Sequence, residues 1–442
     1  MTKFFSFTNI LYIIAVSFIA GSYEALKSFP YLLWIEIPLF LFINVFAGTK
    51  SVRTKRRQYR VCSHGGVLLA IFCCSTAVSI VYHIILAFRT IPDDYKTFIW
   101  SAVFCVVTEA VVFWNGIICV YLTSSQLGLK LRVVGAVCGM IPVVNLIILK
   151  RIIKTVFREV EVESEREERN EKRYEETVCR TKYPLLLVHG VFFRDNRLFN
   201  YWGRIPKELE LNGATVFYGN HESASSIENC ANQLAERIRK ITHETGCEKV
   251  NVIAHSKGGL DMRYALENLG VSHLVASLTT INTPHRGCQF ADYLLGEIPE
   301  KVKNKIASTY DKTLHKLGDE SPDFMAAVSN LTASFCEELD KKMPQPDGVF
   351  CQSIGSVMAK ASSGSFPLNL SYHLVRFFDG ENDGLVCEKA FSWGEKYTLI
   401  RPVGDKGVSH ADIIDLTRQN VEGFDVREFY INLVNDLKNR GL

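Results

Sequence analysis

The sequence predicts an α/β protein with a mostly parallel sheet, preceded by an all-helical apolar region. Residues 1–149 are mostly apolar and carry few charges, whereas residues 150–178 alternate Glu with Arg and Lys. From residue 183 onward, short apolar runs alternate with segments of helical periodicity, and a β-α-β-α order requires a parallel sheet with helices on both faces. We therefore predict a transmembrane region over 1–150, a charged helical linker over 151–182 and a globular domain over 183–442.

Several stretches of the first region approach the ~20 apolar residues that cross a bilayer as a helix. We predict spans at 4–23, 29–48, 67–88 and 98–122. A fifth stretch, 133–149, is shorter and is interrupted by Pro142 and Asn145. This pattern predicts an integral, multi-pass membrane protein without a removable signal peptide. The polar residues Glu36, His83 and Glu109 lie inside the predicted spans, where they either pair with each other or serve a transport or relay role.

The basic residues predict the orientation of these spans. The loop over 50–60 holds six Lys and Arg residues, which indicates a cytoplasmic loop. The fifth stretch then decides the position of the globular domain: outside if it crosses, cytoplasmic if it lies in the interface or re-enters. Basic residues directly after this stretch favour the cytoplasm. So do the seven cysteines from Cys179 onward, an odd and scattered set typical of reduced thiols.

The globular domain shows predicted strands at 185–188, 214–218, 250–253, 274–281, 349–353 and 372–378. Predicted helices lie at 201–212, 226–242, 260–269 and 426–439. Residues 290–345 break the alternation with a mostly helical insertion. This insertion either packs on the sheet edge or caps the site, and the sequence favours neither alternative.

A hydrophobic strand runs into a glycine-terminated turn with a serine at its apex. The residues Ala254-His255-Ser256-Lys257-Gly258 fit the nucleophile elbow G-x-S-x-G, with alanine in the first position. The serine of an elbow sits in a strained strand-to-helix turn, so its flanking residues must be small. Ser256 is therefore a candidate nucleophile.

A serine nucleophile needs a base, and the base needs an acid that holds it. In elbow hydrolases these residues follow in the order Ser, Asp or Glu, His. His410 fits this order, since it follows the turn Asn382-Asp383-Gly384, and Asp383 is the candidate acid. Glu381 and Asp412 are reserve acids. His285 precedes the acid, which predicts a structural role for it.

The oxyanion of the tetrahedral intermediate needs two backbone N–H donors. One is expected from Lys257, which follows the nucleophile. The other is expected from the loop after the first strand, where His189-Gly190-Val191 fits, with Val191 as the donor.

With these motifs the chain resembles the bacterial true lipases of the α/β-hydrolase superfamily. Six separate motifs match in order: His189-Gly190, Tyr201-Trp202, the elbow around Ser256, Thr283-Pro284-His285-Arg286-Gly287, Asn382-Asp383-Gly384 and His410-Ala411-Asp412. The resemblance covers nearly all of 183–442. It implies an α/β-hydrolase fold with Ser256 as nucleophile, Asp383 as acid and His410 as base.

The chain departs from this family in three respects. Ala254 replaces a glycine. Asp412 matches one position of the structural calcium site of many relatives, but no second carboxylate matches, so no metal or other cofactor is predicted. The relatives are mostly secreted, and the resemblance does not account for residues 1–150.

Together these features predict a membrane-anchored serine ester hydrolase that takes lipid acyl esters from the bilayer. A membrane lipid is the expected partner; a nucleic acid is not, and the sequence does not indicate an oligomeric state. Two alternatives remain open at this point. The same triad serves an acyltransferase, and a non-catalytic binding module could retain the hydrolase fold.

Overall fold

The computed structural model describes residues 6–49, 53–139, 141, 144–191, 200–316, 322–401 and 405–442. The chain divides into two compact units, Met1–Glu171 and Lys172–Leu442.

The first unit is built from helices. They are α1 (Phe7–Gly21), α2 (Tyr23–Ser28), α3 (Leu33–Phe46), α4 (Arg57–Thr123), α5 (Gly128–Cys138) and α6 (Val144–Arg173). Within the described residues, only α4 is both long and apolar enough to cross a membrane. Two shorter apolar helices lie at Phe7–Gly21 and Pro30–Phe46. The predicted multi-span arrangement therefore stays a prediction, and the predicted spans 67–88 and 98–122 both lie in α4.

Helix α4 folds back on itself at Asp94, whose backbone is not helical (φ −145°, ψ 71°). The side chains of the two arms meet, with Phe72 and Phe113 at 5.1 Å between ring centroids. The carboxylate of Glu109 accepts a hydrogen bond from Ser75 Oγ at 2.8 Å. The two arms thus form an antiparallel hairpin, and the Glu109 carboxylate between them is hydrogen-bonded to Ser75.

The other polar residues of the predicted spans are also paired. Ser22 Oγ donates to Glu36 at 3.0 Å, and His83 Nε2 lies 3.3 Å from Ser101 Oγ. They do not pair with each other, as one alternative had expected, but with serine hydroxyls. The fifth apolar stretch does not form one helix, since α5 ends at Cys138 and α6 begins at Val144. Pro142 lies outside the described residues.

The second unit alternates strands and helices. Its strands are β1 (Leu185–Val188), β2 (Val216–Tyr218), β3 (Val250–His255), β4 (Val275–Ile281), β5 (Phe350–Ser356) and β6 (Lys396–Ile400). Its helices are α7 (Ile205–Leu211), α8 (Ile227–Thr245), α9 (Lys257–Asn268), α10 (Gln289–Glu297), α11 (Glu300–Lys316), α12 (Phe324–Ser329), α13 (Ala333–Lys342), α14 (Leu368–Asp379) and α15 (Val426–Asn439).

The six strands form one sheet in the order β2-β1-β3-β4-β5-β6. Every neighbouring pair is parallel. Successive side chains of a strand point to opposite faces, so Leu185 and Leu187 of β1 pack with α7 and α15. Leu186 and Val188 pack with α8 and α9 on the other face. The strand order reverses between β1 and β3, and ligand sites of such sheets lie at the carboxyl ends of the strands near that point.

Most predicted elements of this unit are confirmed, and the parallel sheet with flanking helices fits the α/β-hydrolase fold. The predicted strand at 372–378 is wrong, because these residues belong to helix α14. Its buried residues Leu368, Tyr372 and Val375 are spaced four and three apart, which is a helical period. A window of seven residues rich in aromatic and branched side chains concealed this period. Strand β6 was not predicted; it lies at the sheet edge and begins with an exposed lysine.

Candidate active site

Ser256 occupies the turn between β3 and α9 at the carboxyl edge of the sheet. Its backbone lies at φ 54° and ψ −132°, a conformation that costs energy for any residue with a side chain. The two glycines that follow allow close approach. A Cβ on Gly258 would lie 2.4 Å from the carbonyl oxygen of His189, and one on Gly259 would lie 2.2 Å from Thr283 Oγ1. Ala254, which stands where the elbow pattern has its first glycine, is fully buried. The turn has the strained strand-to-helix geometry of a nucleophile elbow.

The two predicted oxyanion donors belong to segments that adjoin Ser256. Lys257 is the first residue of α9, and the first N–H groups of a helix have no partner inside that helix. The loop after β1 reaches the serine, since a Cβ on Gly190 would lie 2.8 Å from that of Ser256. His189 Nδ1 lies 2.8 Å from the Gly190 carbonyl oxygen. Because a trans peptide is planar, fixing this carbonyl directs the N–H of Val191 the opposite way.

The structure brings the predicted acid and base together. His410 Nδ1 lies 2.5 Å from Asp383 Oδ2, and the backbone N–H of His410 donates to the Asp383 carbonyl at 2.9 Å. The side chain of Asp383 is fully buried, whereas His410 is 8 % exposed. Asp383 Oδ1 accepts the N–H groups of Leu385 at 2.9 Å and Val386 at 2.8 Å. The acid is thus held on both oxygens, with the imidazole as one of its donors.

Asn282 completes the acid's surroundings, and the sequence analysis missed it. Its Nδ2 donates to Asp383 Oδ2 at 2.6 Å and to Ser356 Oγ at 2.7 Å. Asn282 follows β4 with φ 46°, in the left-handed region that asparagine tolerates better than most residues. A buried Asn directly after a strand, in a turn before Thr283-Pro284, was the available signal.

The imidazole of His410 contacts His255, the residue that precedes Ser256. The rings of His410 and His255 are 4.5 Å apart between centroids. Among the described residues, no hydrogen bond joins Ser256 Oγ to His410. Catalytic hydrogen bonds are often long in free enzymes and form fully only with substrate. The roles of Ser256, Asp383 and His410 therefore stay predictions, with the acid and base paired and the serine beside them.

A second pair, also missed from the sequence, lies behind the nucleophile. The Tyr201 hydroxyl lies 2.6 Å from His255 Nδ1 and accepts the Gly190 N–H at 3.0 Å. Burial, helped by the nearby His410, holds the pKa of His255 well below its usual range. Tyr201 thus connects the loop of the predicted oxyanion donor to a neutral imidazole that touches His410.

The side chain of Lys257 is buried away from solvent and bound to Asp261. Their Nζ and Oδ1 atoms are 2.6 Å apart, and both side chains are almost completely inaccessible. Burial raises the pKa of Asp261 to about 6, although the Lys257 charge acts in the opposite direction. This pair ties the first residue of α9 to the next turn of the same helix, so it orients the backbone that carries the predicted donor.

The reserve residues are engaged elsewhere. Glu381 is exposed and lies 2.7 Å from Arg401. Asp412 accepts the Ser409 hydroxyl at 2.6 Å and thereby holds the loop of His410. His285 is buried, with Nε2 2.9 Å from Thr280 Oγ1 and its ring stacked on Trp393 at 4.9 Å. These contacts support a structural role for His285.

The donor set for calcium is incomplete in the described residues. Asp412 directs its Oδ2 to Ser409, and no group of three or more His, Cys, Asp or Glu side chains in the described ranges could hold a metal ion. The expectation that the protein holds no cofactor stays a prediction, and no step of the proposed reaction depends on a metal.

The helical insertion reaches the predicted oxyanion loop. Ala327 of α12 and Ala224 form a small buried cluster against which Val191 packs. The backbone N–H of Asp323 donates to the Ala224 carbonyl at 2.7 Å. Of the two alternatives for residues 290–345, this contact favours a cap over the site.

The chain is similar to known lipases. The model of the palmitoyl protein thioesterase family matches residues 184–358. A triacylglycerol lipase of Pseudarthrobacter phenanthrenivorans is 32% identical over 38% of this chain and 56% of its own length. One of Vibrio cholerae is 29% identical over 60% of this chain and 90% of its own length. The crystal structure of Staphylococcus hyicus lipase aligns with a TM-score of 0.46 at 17% identity, over 59% of this chain and 97% of that one.

The chain spans about half the length of the Pseudarthrobacter lipase, 56%, and of a triacylglycerol lipase of Burkholderia plantarii, 50%. The matches confirm the resemblance at the level of a lipase-like family and support a carboxylic ester hydrolase. The match to the family model lies wholly within the second unit.

Proposed function

We propose that this protein is a membrane-anchored serine hydrolase that cleaves acyl esters of lipids. The observation that carries the proposal is the Asp383–His410 pair beside a strained serine turn at the carboxyl edge of a parallel sheet. Triacylglycerol lipases among the relatives support a lipid ester as the substrate.

In the proposed reaction, Ser256 Oγ attacks the ester carbonyl while His410 Nε2 takes its proton. Asp383 holds the Nδ1 side of the imidazole, so that Nε2 remains free to act as the base. The oxyanion that forms accepts hydrogen bonds from the N–H groups of Lys257 and Val191. His410 then returns the proton to the leaving alcohol, and an acyl-enzyme on Ser256 remains.

Water completes the cycle. It attacks the acyl-enzyme with His410 again as the base, and the acid is released as Ser256 recovers its proton. Throughout the cycle Asp383 holds the imidazole of His410. The Ser256–His410 hydrogen bond, which is absent among the described residues, is proposed to form when substrate binds.

The first unit is proposed to anchor the enzyme in the bilayer as a multi-pass helical region. The long apolar helix α4, the shorter apolar helices and the many exposed large apolar side chains described in this unit support the proposal. The basic loop 50–60 and the seven free thiols of the second unit support a cytoplasmic position of the hydrolase. Anchoring keeps the hydrolase at high effective concentration beside a substrate dissolved in lipid.

The Ser256→Ala variant tests the proposal. It should abolish hydrolysis of short p-nitrophenyl esters and labelling by a fluorophosphonate probe, with unchanged folding. The matched control is Ser277→Ala, which removes a buried serine hydroxyl of β4 that bonds to Asn251 instead of facing the site. Activity or labelling retained by Ser256→Ala would refute the nucleophile. A wild-type chain that does not react with the probe would support the non-catalytic module instead.

The family match also supports a thioester as an alternative substrate. Attack by Ser256 would then expel a thiolate, and the acyl-enzyme would be the same. Comparing matched acyl oxoesters and thioesters separates these substrates. Adding an alcohol acceptor and measuring free acid against new ester separates hydrolysis from the acyl transfer that the same triad permits.

A further inference from the structure

The outer face of helix α14 presents a row of apolar side chains to solvent. Phe366, just before the helix, is 79 % exposed, and Phe377 near its end is 82 % exposed. Leu370 and Leu374 lie between them and are also exposed. The spacing of Leu370, Leu374 and Phe377, four and three residues, puts these three on one side of the helix, and Phe366 precedes its first turn. We call these four residues the apolar stripe.

The apolar stripe is exceptional for the second unit. Most of the exposed large apolar side chains described between Lys172 and Leu442 belong to the stripe or adjoin it. Tyr293 of α10 adjoins it through a ring contact with Phe378 at 4.7 Å, and Leu385 follows the acid turn. Single exposed apolar residues are ordinary, but a contiguous group marks an interaction surface.

The inner face of the same helix holds the turn of the predicted acid. Ser371 Oγ donates to the Gly384 carbonyl at 2.5 Å, and Asn382 Nδ2 donates to the Tyr372 carbonyl at 3.3 Å. Asp383 lies between these two anchored residues. The helix that carries the apolar stripe therefore also holds the acid turn, on its opposite face.

The charges around the stripe indicate its partner. Residues 361–378 contain no Asp or Glu, and the exposed Lys360 and Arg376 are the basic residues beside the stripe. The next acid, Asp379, accepts the backbone N–H groups of Gln289 and Phe290. An amphipathic helix with an apolar face and flanking basic residues fits the surface of a lipid bilayer, where anionic headgroups attract the cations.

We propose that the apolar stripe inserts into the surface of a lipid bilayer and seats the active site on it. Insertion itself follows from the stripe alone. Its role in delivering substrate rests on the proposed lipid ester hydrolysis: the helix seated on the bilayer is the one that holds the turn of Asp383, so insertion brings that turn close to the lipid.

The test of insertion uses the full chain in vesicles of phosphatidylcholine and phosphatidylserine. An NBD fluorophore on Phe377→Cys should be quenched by spin-labelled lipids and protected from aqueous iodide. The matched control is Leu211→Cys on α7, an exposed apolar position of the same unit outside the stripe, whose fluorophore should remain open to iodide. The unsubstituted chain gives the labelling background of the native thiols, which are buried or half-buried.

Two results would overturn insertion. One is equal iodide quenching at positions 377 and 211 in vesicles. The other is protection at 377 that persists in lipid-free detergent and rises with protein concentration, which would indicate a second copy of the chain as the occupant.

The test of function uses the double variant Phe366→Ser/Phe377→Ser. Hydrolysis of a lipid ester in vesicles should fall about tenfold or more, since each large apolar side chain contributes that order of binding when buried. Hydrolysis of a soluble short-chain ester should be unchanged. Equal loss on both substrates would refute a role in delivery. A wild-type chain inactive on both would refute the proposed hydrolysis and leave the fluorophore result standing.

Discussion

Removal of the Asn282 side chain should slow the reaction without weakening substrate binding. Asn282 Nδ2 donates to Asp383 Oδ2 at 2.6 Å, in a site where Asp383 is fully buried. A hydrogen bond to a charged group contributes about 1.5–3 kcal/mol, which corresponds to a factor of about 10 to 100 in rate if it acts on the positioned acid. Asn282→Gly is the suitable change, because glycine adopts the native φ of 46° without strain.

The assay is hydrolysis of a soluble ester, with kcat and KM measured separately. We expect kcat to fall by about one to two orders of magnitude at unchanged KM, since the bond acts on the base's orientation rather than on the substrate. The control is Asn251→Ala, which removes another buried amide with two hydrogen bonds, to Tyr183 and Ser277, near the opposite end of β3. It should destabilise the fold but retain kcat. Equal kcat in wild type and Asn282→Gly would refute the reasoning, as would an equal fall in both variants.

Three further outcomes follow from the site's surroundings. Acidification below about pH 6.5 should destabilise the second unit, because His255 and His285 are buried with pKa values held well below that of the unfolded chain and take up protons only on unfolding. Stability is then complete above pH 6.5 and falls as the pH drops, and His285→Gln should flatten the pH dependence of the unfolding temperature. Gly258→Ala should destabilise the unit by about 1–3 kcal/mol, since its Cβ would meet a backbone oxygen, and thermal unfolding measures this. Tyr201→Phe leaves a buried N–H unpaired and should lower kcat about tenfold with KM retained; an unchanged kcat would remove Tyr201 from the site's support.

Most strands and helices of the second unit could be predicted from the sequence, because the patterns that indicate them are local. The apolar runs of β1, β3 and β4 are fully buried on both faces, as strands in the middle of a parallel sheet must be, so they are continuous and easy to recognise. The elbow and the order of Ser256, Asp383 and His410 also follow from short motifs. The edge strand β6 lacks this signal, because its side chains are half-exposed.

The residues that the sequence analysis missed owe their positions to the fold. Asn282 meets Asp383 although the two are far apart in sequence, because the strand ends of β4 and β5 are neighbours and the acid turn returns to β5 through a bond from Met358 N to the Asn382 carbonyl. Tyr201 likewise meets His255 only after β1 and β3 have paired. Periodicity and spacing along the sequence do not reveal such contacts. They are found only when the pairing of the strands in the folded sheet is known.

The acid's surroundings also explain which part of the site must be fixed before substrate arrives. Asp383 accepts from Asn282, Leu385, Val386 and His410, and these four donors fill the acceptor positions of both oxygens. A carboxylate in this position cannot turn, so the imidazole it holds cannot turn either, and the free face of His410 is set before binding. Displacement of His410 would break its bond to a buried carboxylate that is otherwise satisfied. The acid and base are therefore the part of the site whose arrangement is set before substrate binds, and the contact with Ser256 is the part left to form on binding.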